Sequence, residues 1–214
     1  MNLQSMLNQL LGAAASTQRS DTGKYVTGGA LGLLLGSRRG RSMGGSALKY
    51  GSVAALGAMA WKAYQDYQAS QPSTGPAAGA TPATLPRPAS FAALPAPQLE
   101  LHSQAMLKAL IAAAKSDGHM DERETALVQA ELTRIAADDA TRHWVDGELR
   151  RPIDPADVAA GAASPEMAAE IYLASLVVTQ DTTTMERAYL EELARQLKLP
   201  AALKADLEAR AAAV

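Results

Sequence analysis

QLELHSQAMLKALIAAAKSDGHMDERE, residues 98–124, decides the fold class. Met106, Leu107, Leu110, Ile111 and Ala114 recur at the three- and four-residue spacing that lines one face of an α-helix. Asp117-Gly118 then supplies turn chemistry, and Asp121 stands as the cap of a following helix with Glu124 at the capping-box position. The same grammar runs on to the C-terminus. Helices are predicted at 98–116, 121–137, 140–149, 155–160, 165–179, 184–197 and 200–212. Their starts are marked by Asp121, by Asp154 before Pro155, by Ser164 before Pro165, and by Thr183. Valine and isoleucine never alternate at period two for long enough to make a strand. Residues 98–214 therefore read as an all-α bundle of about 115 residues, large enough to fold alone.

Upstream the composition changes. Seven of the eleven prolines (Pro72, Pro76, Pro82, Pro86, Pro88, Pro95, Pro97) lie within residues 68–97, a Pro/Ala-rich stretch read as a disordered linker. Residues 23–67 are glycine-rich, with Gly28, Gly32, Gly36, Gly40 and Gly44 each four residues apart. Small residues so spaced let two backbones touch, as in membrane helix pairs. Glycine in a helix interior costs roughly 1 kcal/mol relative to alanine, which makes little sense without such a contact. The apolar run Tyr25–Gly36 is short for a membrane span of ~20 residues, whereas Met43–Trp61 approaches it. Trp61, Tyr64 and Tyr67 then stand where an interfacial aromatic belt would lie. A single span after Arg38, Arg39 and Arg41, or a helical hairpin around that arginine turn, fits equally well. Residues 1–22 open with an amphipathic pattern (Leu3, Met6, Leu7, Leu10, Leu11) followed by a polar loop; no basic n-region or cleavage site of a secretory signal is present.

Charge follows the same division. Residues 1–97 hold eight Lys/Arg against two acids, net +6, and residues 98–214 hold twelve against twenty, net −8. A basic half meets anionic partners. The arginine cluster lacks stacking aromatics and any nucleic-acid-binding motif, so a lipid membrane is the expected partner and nucleic acid is not. Cysteine is absent, which removes disulfides, thiol catalysis and Cys-type zinc sites. The three histidines (His102, His119, His143) have no ligand spacing.

The remaining chemistry lies in carboxylates. Asp117, Asp121, Glu122 and Glu124 crowd one helix junction, and Asp181 with Glu186 sits at another. Both junctions contain Asp-x4-Glu-Arg, in Asp117…Glu122-Arg123 and Asp181…Glu186-Arg187. Carboxylate oxygens so clustered suit a hard cation such as calcium or magnesium, although the spacing is not that of an EF-hand. Ordinary helix capping on a solvated acidic face accounts for the same residues.

Helix, Asp-Gly-x-Met-Asp-x-x-Glu, helix resembles the motif of the TerB-like domains, named for a tellurite-resistance protein. The order of Met6-Leu7-Asn8-Gln9-Leu10-Leu11, Gly29-Ala30-Leu31-Gly32-Leu33-Leu34-Leu35, Lys49-Tyr50-Gly51 and Trp61-Lys62-Ala63-Tyr64, closing on Glu186-Arg187-Ala188-Tyr189-Leu190, is similar to the YebE-type inner-membrane proteins. That family has no assigned enzymatic activity, and the resemblance implies a divalent metal held by acidic residues and a part in envelope or stress response. Carried over by position, the metal ligands are Asp117, Asp121, Glu124 and Glu186, with Asp181 beside them.

The expectation is thus a non-enzymatic, membrane-tethered interaction or sensing module in the bacterial inner membrane. It holds a divalent cation, and it meets a protein partner or a second copy through the glycine-rich helix. With positive residues kept cytoplasmic, a span or hairpin puts the C-terminal bundle in the periplasm. The alternatives are a metal-dependent hydrolase, for which no nucleophile–base pair or phosphate loop is present, and a structural scaffold without metal.

Overall fold

The computed structural model describes residues 53–71, 95–118, 126, 137–179 and 183–213. Among these all regular structure is helical: α1 (Val53–Ser70), α2 (Ala96–Ala114), α3 (Asp139–Arg150), α4 (Pro155–Ala159), α5 (Pro165–Thr179), α6 (Thr184–Gln196) and α7 (Ala201–Ala212). The predicted amphipathic helix of residues 1–22, the glycine repeat, most of the linker and most of the helix expected at 121–137 lie outside the described residues.

The helix ends follow from local chemistry. Pro95 caps α2 and Pro97 occupies its first turn, where a missing N–H costs nothing. The Asp138 carboxylate accepts from Thr141 N at 2.7 Å to start α3, and Asp154 accepts from Ala156 N at 2.9 Å to start α4. Ser164 Oγ accepts from Met167 N at the head of α5. Between α6 and α7 the chain closes with Leu199 N donating to Ala194 O, and Lys198 takes the left-handed conformation (φ 54°) that glycine more often fills there.

The axis of the bundle is α5. Ten of its fifteen residues are buried, from Met167 to Thr179, on every side of the helix. A helix apolar all round must be enclosed, and α1, α2, α6 and α7 pack about it. Met106, Leu107 and Leu110 of α2, Leu193 of α6, and Leu203 and Leu207 of α7 complete the core.

The extent of the folded unit differs from the expectation. It does not begin at residue 98, because α1 belongs to it. Leu56, Ala60 and Ala63 are buried in the common core against α5 and α7. Tyr64 and Tyr67, expected in an interfacial belt, pack against that core half-buried. Lys62 pairs with Asp66 at 3.1 Å, and Asp66 reaches Arg210 of α7 at 2.8 Å. The span drawn from Met43 to Trp61 therefore needs correcting from Val53 onward: small residues there let α1 approach another helix of its own bundle. Among the described residues no helix is long and apolar enough to cross a membrane. The edges of the 68–97 stretch are also helical, Gln68–Ser70 in α1 and Ala96–Pro97 in α2.

Candidate functional site

The described ends of the two acidic junctions, the turn after α2 and the first turn of α6, touch at one point. After α2 the chain turns through Lys115–Gly118, with Gly118 N donating to Lys115 O at 2.9 Å. Gly118 has φ +82°, and a β-carbon there would meet Met185 Cε at 2.9 Å. Met185 stands in the first turn of α6 and is 56% exposed. The turn carrying Asp117 is thus in contact with the helix start carrying Glu186, and the left-handed backbone at Gly118 favours glycine.

Glu186 has local work there. The Glu186 carboxylate accepts from Thr183 N at 2.7 Å, while Thr183 Oγ1 accepts from Glu186 N at 3.1 Å, a complete capping box. Asp117 is half-buried at the C-terminal end of α2. Asp121, Glu124 and Asp181 lie outside the described residues. Among the described residues no group of three or more His, Asp or Glu side chains stands close enough to hold a metal ion.

Other polar clusters escaped the sequence reading because their members are far apart in the chain. Lys115 Nζ donates to Glu148 O at 2.9 Å and to Arg151 O, placing its ammonium on the carbonyls that close α3. Burial pushes its ionisation below the usual lysine range. Beside it runs a narrow cleft in which Lys108 and Arg151 share Asp157 at 2.6 and 3.2 Å, so its charges are already matched. Tyr172 Oη, at the centre of the core, donates to Glu208 at 2.8 Å; Lys204 joins Glu208 to Glu191, linking α5, α7 and α6. His102 of α2 meets Glu170 of α5 at 2.7 Å under the backbone of α1. His143 is exposed, its Nδ1 2.7 Å from Asp139 O. Only the capping box, with its three-residue spacing, had a local signal.

An uncharacterised protein in the ampR 5' region of Yersinia enterocolitica is 30% identical over 105 residues, which cover 49% of this chain and 76% of that protein. No solved structure matches. The model of a family described as a protein of unknown function, DUF533, matches residues 20–211, and that family is TerB-like. With the match running from before the glycine repeat to the last turn of α7, the chain belongs to the DUF533 family.

Proposed function

We propose that this chain is a non-enzymatic, membrane-tethered binding module of the YebE type, whose bundle takes a divalent cation where its two junctions meet. The observation that supports the cation is the packing of Gly118 on Met185, which puts the Asp117 turn beside the first turn of α6. Calcium takes six to eight oxygens and magnesium six, so Asp117 and Glu186 alone fall short. Asp121 and Glu124, three and six residues beyond Gly118, and Asp181, two residues before Thr183, are the acids to complete the set. Glu186 would contribute the oxygen its capping bond leaves over. The cation would hold the two junctions together against carboxylate repulsion; no chemical step is assigned to it.

The tether is residues 23–52, which carry the glycine repeat and five of the basic residues. With Val53–Trp61 in the bundle, two apolar stretches remain, Tyr25–Gly36 and Met43–Ser52. As helices these are about 18 and 15 Å long, against ~30 Å of hydrocarbon. They suit a seat in one leaflet of the inner membrane better than a crossing. That seat keeps the bundle on the arginine side, the cytoplasmic one, in place of the periplasmic side expected from a full span. The glycine face is then available to a protein partner or a second copy.

Thermal melting of the full chain with millimolar calcium or magnesium, against chelator, tests the cation. A rise in Tm that Asp117→Asn abolishes supports the reading. Identical melts with either metal and with chelator overturn it.

A further inference from the structure

Met185 stands apart from the other described methionines. Met106 is 1% exposed and Met167 7%, and the Met167 sulfur also accepts from Ala163 N at 3.4 Å. Met59 is half-buried against the core. Met185 is 56% exposed in the first turn of α6, yet it is not an idle surface side chain. Its Cε and Sδ lie 2.9 and 3.6 Å from the place a β-carbon would take on Gly118, so the end of the thioether fills the space that this glycine leaves open. Gly118 closes the turn after α2 with φ +82°. Within that turn Lys115 N, Ser116 N and Gly118 N donate to Ile111 O, Ala113 O and Lys115 O. A soft apolar group thus covers a turn of backbone, on a side chain open to a small oxidant.

We propose that Met185 is an oxidation-sensitive latch: as the thioether it holds the Gly118 turn to the head of α6, and as the sulfoxide it lets the turn go. The oxidant is of the peroxide class. The sulfur lone pair attacks one peroxide oxygen, and the S–O bond forms as the O–O bond breaks. The departing hydroxide takes the proton of the transferred oxygen and leaves as water. Sulfur is oxidised by two electrons and the peroxide is reduced by two. The product puts a polar, chiral group where a flexible apolar one stood. Its oxygen needs hydrogen-bond donors, and the glycine it faces has none to give, because the Gly118 N–H is already donated to Lys115 O. The oxygen therefore turns toward water and draws the methyl off Gly118.

Selectivity follows from exposure. The sulfurs of Met106 and Met167 must wait for the bundle to open, whereas Met185 reacts in the folded state. The loss is local. α6 keeps its Thr183–Glu186 capping box and its buried Tyr189, Leu190 and Leu193, so the bundle survives while the junction loosens. The contact is a packing of the chain on itself, so the latch stands with or without a cation at the junction. Chelator in the assay keeps the two questions apart.

The full chain is treated with millimolar hydrogen peroxide in chelator, its oxidised methionines are mapped by mass spectrometry, and amide exchange is followed by NMR. Met185 is expected to gain oxygen about tenfold or more faster than Met106 and Met167. The amides of Lys115, Ser116 and Gly118 should then exchange about fivefold faster, the factor for losing roughly half the transfer energy of a buried methionine. Those of α5 should hold their protection, and methionine sulfoxide reductase should restore the turn. Met185→Leu, of similar volume, is expected to keep the turn protected through peroxide treatment. Met185→Gln, polar and of similar length, is expected to show the looser turn without any oxidant. A Met185 that oxidises no faster than the buried pair, or a turn unchanged once Met185 is oxidised, overturns the proposal. A peroxide response undiminished in Met185→Leu does the same.

Discussion

Replacing Ala60 by leucine separates a bundle helix from a membrane helix. Ala60 is fully buried where α1 lies against its neighbours, in a core shared with Leu56 and Ala63. Three added carbons have no space in an interior packed to crystal-like density. Overpacking of this kind costs typically 1–3 kcal/mol, and a closely seated helix–helix contact gives little room to relax, so about 2 kcal/mol is expected. For a bundle of about 120 residues that corresponds to a fall in Tm of roughly 6–10 °C. The assay is thermal and urea unfolding of the full chain followed by helical circular dichroism. Ala58→Leu, at an exposed position two residues away, is the control and should stay within about 0.5 kcal/mol. In lipid the same Ala60→Leu change would be neutral or favourable, because leucine partitions into hydrocarbon better than alanine. An unchanged or raised Tm for Ala60→Leu would refute the placement of α1 in the core.

Two further changes probe the polar contacts. Thr183→Ala removes half of the capping box at the head of α6 and should cost about 1 kcal/mol, a drop of roughly 3–5 °C in Tm; Thr183→Ser should restore most of it. Asp66 is held below the usual carboxylate range, by Arg210 first and Lys62 second. Because its folded value is depressed, its contribution is present above the ordinary carboxylate range and lost as pH falls through the folded value. The wild-type chain should therefore out-melt Asp66→Asn at neutral pH, with the gap closing as the solution is acidified below the ordinary carboxylate range; a gap that widens in acid contradicts the pairing.

Helix positions were legible because their signals are local. Pro155, Pro165 and Pro200 stand at helix starts, and Asp154, Ser164 and Thr183 cap where a short polar side chain can reach an N–H two or three residues on. The partner of α1 was not legible. A stripe of Gly57, Ala60 and Ala63 satisfies a membrane neighbour and a bundle neighbour equally, since both require only close backbones. The contacts that distinguish them, Asp66 with Arg210 and Gly57 with Glu170, join residues more than a hundred positions apart. The Pro-rich stretch then drew the boundary of the folded unit too late, at a change in composition that the packing ignores. At the candidate site, the Thr183–Glu186 box and the Asp117-Gly118 turn were readable from spacing. Their meeting was not, because it depends on α5 carrying the chain back across the bundle to set Met185 on Gly118.

The tether is tested most directly by flotation of the purified full chain with vesicles of phosphatidylglycerol and phosphatidylcholine, beside a chain lacking residues 23–52. The account predicts that the full chain floats with anionic vesicles, more weakly as phosphatidylglycerol is withdrawn, and that the shortened chain stays below, still helical and melting cooperatively. A full chain left at the bottom of the gradient, or a shortened chain that floats as well, would contradict it.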